Sequence, residues 1–536
     1  MRLRPTAPVA VLATTSLAAT ALLAGPAPAL AGGHHHGPGR SPEVVLTPLG
    51  TYRTGLFDEG GSEITAHDPA TQRLFVVSSG AGTVDVLDIS RPARPRRVAT
   101  LDTPGANSVA VHRGLVAVAE EADDKTAPGS LAFFDARTGA ERGRVTVGAL
   151  PDMVTFTPDG HYAVVANEGE PEGYCAGQSD PEGSVSVVDL RRGPARAVVR
   201  TADFHRWDRH ADRLRAAGVR VFGPGATVSQ DLEPEYVTTD GRTAWVTLQE
   251  NNAVATVDLR SARVTRIAPL GTKDHDTTGQ GLDASDKDGG VHIAPRPVRG
   301  LYQPDSLGHY TSGGHTYLVT ANEGDAREYD CFAEEERVAD LTLDPAAFPD
   351  AAALQEKGAL GRLTVTTTSA HGPDGYTGLD AFGARSVSVR DARTGRLVWD
   401  SGDALEQLVA EQQPSLFNAN NDDNDSVDSR SDDKGPEPEG LDLGRLRGRT
   451  YAFVGLERTS GIVAIDVTDP AHGRVAGYAS NRSTDPAADA EAGEAGDLGP
   501  EGVLFIPASQ SPNRSPLLVV GNEVSGTTTI WSVATR

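Results

Sequence analysis

The chain has 536 residues, a formal net charge of −25 and two cysteines. That length supports a large core or several small ones. The acidic balance argues against nucleic acid or an anionic membrane surface as partner and favours cations or basic groups, although acidity alone also serves solubility.

Residues 1–31 read as a secretory signal peptide: Arg2 and Arg4 form the charged start, Val9 to Leu23 the apolar run, and Ala29-Leu30-Ala31 the small-residue cleavage site. Residues 32–42 form a tail of His, Gly and Pro, in which His34 to His36 read as flexible chain rather than a metal site. No cysteine follows the apolar run, and no later window approaches the ~18 apolar residues of a membrane span. The expectation is a secreted, extracellular monomer without a lipid anchor.

From 43 to 536 the chain reads as one domain built on a repeat. The third copy shows it most clearly, in Leu150-Pro151-Asp152, Ala166-Asn167-Glu168-Gly169-Glu170 and Gly183-Ser184-Val185-Ser186-Val187-Val188-Asp189. Each copy has an acidic turn, a strand, a second strand ending in a carboxylate, a loop and a third strand. Runs between copies, such as Ala197-Val198-Val199-Arg200, supply a fourth. The predicted fold is therefore all-β, a seven-bladed β-propeller with four antiparallel strands per blade. The orphan strand near Val44 completes the last copy, so that N- and C-terminal strands close the ring and leave no open edge.

Long inserted loops near 204–230, 272–300, 325–380 and 403–435 carry the surplus length. The last holds Asn418 to Asp433, which reads by composition as solvated loop and by chemistry as a supply of hard oxygen ligands. It lacks the spacing of a helix-loop-helix calcium site. Cys175 and Cys331 each follow a copy of the same Asn-Glu motif. In an oxidising compartment they are expected to pair, with two buried thiols as the alternative.

Two acidic positions recur. One lies in or before the first strand, at Glu63, Asp152, Glu235, Asp305, Glu439 and Glu501; the other ends the second strand, at Glu120, Glu168, Glu250, Glu323, Glu457 and Glu523. Equivalent positions of a propeller open on one face, so these carboxylates are expected to form a rim. Their repulsion calls for a counter-charge, and a divalent cation suits it, calcium above all in a carboxylate-rich extracellular site. Turn capping by the same carboxylates is the competing account.

A metal-dependent phosphoesterase is the alternative function, with metal-bound water as nucleophile and Arg327, Arg385, Arg430, Lys434 and Arg458 available for phosphate. No serine, histidine or cysteine constellation for nucleophilic catalysis is present, and His67, His112, His161, His309 and His315 read as surface residues at turns.

Several runs carry a resemblance: Asn167-Glu168-Gly169-Glu170-Pro171, Leu282-Asp283-Ala284-Ser285-Asp286-Lys287-Asp288-Gly289-Gly290, Asn322-Glu323-Gly324-Asp325, and above all Asp428 to Gly440 (DSRSDDKGPEPEG). Over nearly the whole mature chain it resembles the choice-of-anchor I domain, a family similar to mesenchyme-specific surface glycoproteins of sea urchins. The resemblance implies a secreted or surface β-propeller, and some members carry an alkaline phosphatase label; the residues themselves lead to an extracellular propeller whose acidic face holds calcium and presents loops to a surface, polymer or mineral, with a plain interaction scaffold as a third reading. Members typically end in an anchoring signal; none is recognisable here. The family implies no catalytic set.

Overall fold

The computed structural model describes residues 43–536; the predicted signal peptide and histidine tail lie outside the described residues. Among the described residues, seven antiparallel sheets have four strands each. In chain order they cover 65–102, 106–149, 151–202, 234–269, 307–400, 438–479 and, for the seventh, 500–535 joined by Val44–Arg53. In the third, Pro151–Phe156, Tyr162–Asn167, Ser184–Asp189 and Val198–Ala202 pair in sequence order. The N-terminal strand pairs with Thr527–Thr535, in register from Val44 opposite Thr535 to Arg53 opposite Thr527.

Burial explains why the middle strands are nearly continuous runs of Val, Ala and Leu. Tyr162–Asn167 and Ser184–Asp189 are buried on both faces, because each sheet is packed between two others. Outer strands such as Arg96–Asp102 face water and are largely polar. Each sheet shares an apolar layer with the next: Val187 and Val246 lie in the layer between the third and fourth, Val389 and Val454 in that between the fifth and sixth. The seventh shares one with the first, where Leu74 and Leu87 meet Val519 and Ile530. Each such side chain contributes about 1.5–3 kcal/mol by leaving water. First strands of successive sheets pack side by side, and all seven line a channel of about 430 Å³. The fold is an all-β, propeller-like one.

The insertions are built structures. Residues 204–230 carry the helix Ala211–Ala217, whose Leu214 enters the layer between the third and fourth sheets. Residues 272–300 and 325–380 pack on each other around Leu282, Val298, Val338, Leu360 and Val365, with a three-stranded sheet of Thr272–Asp274, Arg299–Leu301 and Asp380–Ala381. Residues 403–435 begin with the helix Ala404–Gln412, seated through Leu405 and Val409.

Asn418 to Asp433 departs from the solvated loop that its composition suggests. Asn418, Asn421, Asn424, Ser431 and Asp432 are buried. Hydrogen bonds replace the missing apolar residues: the Arg482 guanidinium donates to Asn424 Oδ1 at 2.9 Å, to the Asn420 carbonyl at 2.7 Å and to the Asp423 carbonyl at 2.9 Å. Cys175 and Cys331 form a disulfide with Cα atoms 5.2 Å apart, across 156 residues of sequence. Among the described residues no helix is long and apolar enough to cross a membrane.

Candidate functional site

The recurring carboxylates are delivered by a repeated backbone irregularity. The register of the first strand against the second slips between Pro151 and Met153, Pro234 and Val237, Pro438 and Leu441, and Pro500 and Val503. Asp152, Glu235, Glu439 and Glu501 each sit in the resulting bulge, which re-aims a side chain out of the pleat. Proline suits this place because a bulge spares one ladder donor. The residue before the proline is held at positive φ in three of these four, 43° at Leu150, 49° at Glu437 and 68° at Gly499. Successive bulges nearly touch: a β-carbon at Gly440 would lie 1.6 Å from the Glu501 carbonyl oxygen, so only glycine fits.

The second recurring position is prepared by its neighbour. Asn167 is fully buried and its Nδ2 donates to Ser186 Oγ at 3.0 Å, and Asn322 does the same to Ser388 Oγ at 2.8 Å. The asparagine pins the second strand to the third, and the glutamate after it, Glu168 or Glu323, emerges at the rim. Sequence reasoning singled out the glutamates and missed this role of the asparagines, although the repeated Asn-Glu pair carried the signal.

Among the described residues, three triads bring ligand oxygens within 4.8 Å of one another: Glu63, Glu501 and Glu523; Asp305, Glu323 and Glu439; and Glu323, Glu437 and Glu457. Asp152, Glu168, Glu235 and Glu250 form a looser group on the same rim, felt through mutual repulsion. Oε2 of Glu235, Glu250, Glu439 and Glu501 is buried without a hydrogen-bond partner. Burial pushes Glu63 and Asp152 up to about 7, helped by Glu523 and Asp152 at the first and by Glu250 and Glu121 at the second. The same cause, with neighbouring carboxylates, raises Glu168, Glu235, Asp305, Glu439 and Glu501 well above the usual range.

One sector differs. Burial acts on Glu437 too, yet Lys434, Arg430 and Arg458 hold it down at about 2. Its carboxylate lies 2.7 Å from Arg430 Nη2, 3.1 Å from Arg458 Nε and 3.3 Å from Lys434 Nζ. Lys434 also reaches Glu323 Oε1 at 2.9 Å, while Gln249 donates to Glu323 Oε2 at 3.0 Å. Glu457 accepts from Asn421 at 2.8 Å. Sequence reasoning passed over Glu437, which precedes its proline rather than following it.

The fourth sheet repeats the device. In Glu233-Pro234-Glu235 the first glutamate lies 2.8 Å from fully buried Arg327, which also reaches Asp231 at 2.8 Å. In these two first-strand Glu-Pro-Glu runs, the glutamate before proline takes the protein's own cations and the one after it faces the rim; Oε1 of Glu233 and Oε2 of Glu235 and Glu439 are buried without a partner. Of the cations named for phosphate, Arg430, Lys434 and Arg458 adjoin a triad. Arg327 is enclosed as described, and Arg385 is buried against Glu406 at 2.7 Å and the Ser431 carbonyl at 2.8 Å. Glu120 turns away from the rim to Ser130 and Arg144. Of the histidines read as surface residues, His67 and His309 line the channel instead.

A profile of the choice-of-anchor I domain matches residues 63–470. Gigasin-3a of Magallana gigas is 34% identical over 189 residues, 34% of this chain and 66% of that protein. The mesenchyme-specific cell surface glycoprotein of Strongylocentrotus purpuratus is 30% identical over 317 residues, 50% of this chain and 40% of that protein. The chain thus spans just under two thirds of the one relative and two fifths of the other. Similar solved structures include Kuenenia stuttgartiensis hydrazine synthase (TM-score 0.46, 13% identity, 90% of this chain and 100% of that one). Another is the Cps50 (Swd1) β-propeller domain of Myceliophteria thermophila (TM-score 0.43, 9% identity, 91% and 100%). With a match running over residues 63–470, this chain belongs to the choice-of-anchor I domain family.

Proposed function

We propose that the chain is an extracellular, surface-associated β-propeller of seven blades, closed by its terminal strands, that holds divalent cations, calcium foremost, on its carboxylate rim. The loaded rim engages a surface, polymer or mineral. The reading rests on one observation: Oε2 of Glu439 and of Glu501 is buried without a partner inside triads whose ligand oxygens lie within 4.8 Å. Like charges 4 Å apart repel by about 1 kcal/mol in water and by more where water is excluded. A calcium ion at ~2.3–2.6 Å supplies both the missing partner and the counter-charge.

The donor set favours calcium over softer metals, since the triads contain carboxylates only and both cysteines are in the disulfide. Seven four-stranded sheets, with the N-terminal strand paired in the last, support the blade count and closure. The family, the disulfide and a curated relative named as a cell surface glycoprotein support the location.

The test is a calorimetric calcium titration of chelator-stripped protein, beside assays on a phosphomonoester and a phosphodiester. Saturable binding, a higher melting temperature and no hydrolysis are expected. The phosphoesterase reading has Arg430, Lys434 and Arg458 beside a triad in its favour. Hydrolysis abolished by chelation would select it, and indifference to calcium in every assay would sink both readings.

A further inference from the structure

The opposite ends of the sheets carry the reverse charge. In the third sheet Asn167 pairs with Ser184 at the rim end and Tyr162 with Asp189 at the other, roughly 17 Å away at ~3.4 Å per residue. The turn after Asp189 presents Arg191, Arg192 and Arg196, all exposed, which with Asp189, Val198 and Arg200 line an open hollow. The corresponding turns of the first, fourth and fifth sheets repeat the pattern. A strand-end aspartate, Asp88, Asp258 or Asp391, is followed by exposed arginines, among them Arg91 and Arg94, Arg260, and Arg393 and Arg396.

Part of this basic face is structural. Arg200 donates to the Leu259 and Arg260 carbonyls at 3.0 and 2.7 Å and so ties the third sheet to the fourth. Arg191 is held by Asp189. Charges on outer strands, such as Arg96 and Arg97, guard sheet edges. None of these accounts covers Arg192, Arg91 or Arg94, which stand in turns, or Arg196, which ends the one-turn helix Pro194–Arg196. The side chains of Arg192 and Arg196 bond to no described residue.

We propose that this arginine face docks an acidic polysaccharide, whose sulfate or carboxylate groups take forked hydrogen bonds from the turn guanidinium groups. The reading is independent of the cation rim. Nucleic acid fits less well. The exposed large apolar residues among those described are Val98, Val198, Val291 and Val427, none of them aromatic, so bases find no stacking platform. Tyr162 is covered by Arg191 and Arg200, whose guanidinium carbons lie 5.5 and 5.8 Å from its ring centre. The net charge of −25 repels a stiff duplex as a whole, whereas with screening over ~8 Å a flexible chain can follow the arginines locally.

The experiment is retention of the full chain, in chelator, on a sulfated uronate polymer, on duplex DNA and on neutral dextran. Retention on the sulfated polymer at about 50 mM salt, released by raising the salt, is expected. R192E/R196E should weaken it by about tenfold or more, R91E/R94E should weaken it as a second, separate turn, and E439Q/E501Q should leave it unchanged. The proposal is overturned by no retention at low salt, by equal retention of both charge-reversal variants with wild type, or by tighter retention on DNA than on the polysaccharide.

Discussion

Glu437 and Glu501 stand on one rim, in neighbouring sheets, and differ in what faces them. Three cations surround Glu437 within 3.3 Å. Glu501 meets only Glu63 and Glu523 in its triad and keeps a buried oxygen without a partner. Two of the three cations, Arg430 and Lys434, come from the 403–435 insertion, which thus brings its own counter-charge to the sixth sheet. Among the described residues, Glu63, Glu501 and Glu523 form no ion pair, and Arg458 acts on Glu523 only from a distance. A buried carboxylate takes its partner from the chain or from solution, and this rim contains both cases.

The largest effect should come from turning the first case into the second. K434M removes the cation shared by Glu323 and Glu437, and is expected to cost about 3–5 kcal/mol in denaturant titrations with chelator. Added calcium should return part of that loss; a variant as stable as wild type in chelator would show the sectors to be equivalent. Next, calcium at about a hundred times its dissociation constant should stabilise the wild type by about 2.7 kcal/mol. E439Q/E501Q should lose this increment while matching or exceeding wild-type stability in chelator, because the amides remove repulsion. Persistence of the full calcium increment would place the ion elsewhere.

Glu437 should also titrate in the opposite sense to Glu63 and Asp152, whereas its triad partners Glu323 and Glu457 are raised as those are. Glu63 and Asp152 rise from 4.5 and 3.8 to about 7, so the chelated protein binds their protons more tightly folded than unfolded. Their contribution is complete below about pH 4 and lost as pH rises through about 7. Glu437 falls from 4.5 to about 2, and its contribution is present above 4.5 and lost as pH falls through about 2. Melting temperature in chelator should therefore fall between pH 5 and about 8, and calcium should flatten that decline; a rise over the same interval would contradict the bare sector. The smallest effect is expected from R192E/R196E, whose thermal stability should stay within about 0.5 kcal/mol of wild type by the same titrations.

Much of this was legible in the residues. The repeated strands with turn punctuation, the pairing of Val44 with the last copy, and the recurrence of Asp152, Glu439 and Glu501 follow from local pattern. Illegible were the contacts between segments far apart in sequence. Arg327 reads as an available cation, yet it is closed in by Asp231 and Glu233, about a hundred residues upstream. Asn418 to Asp433 reads as open chain because composition counts apolar groups, whereas Arg482 holds it through carbonyls. The net charge spoke against anionic partners, and only the strand directions put Glu168 and Arg192 at opposite ends of one sheet.

Taken alone, the sequence determined the period, the strand chemistry and the positions where carboxylates recur, since alternation, β-branching and Pro-Glu bulges act within a few residues. Which of those carboxylates is neutralised and which is bare was decided by tertiary structure, because a counter-charge acts over 3–4 Å of space and the chain brings Lys434 to Glu323 from 111 residues away.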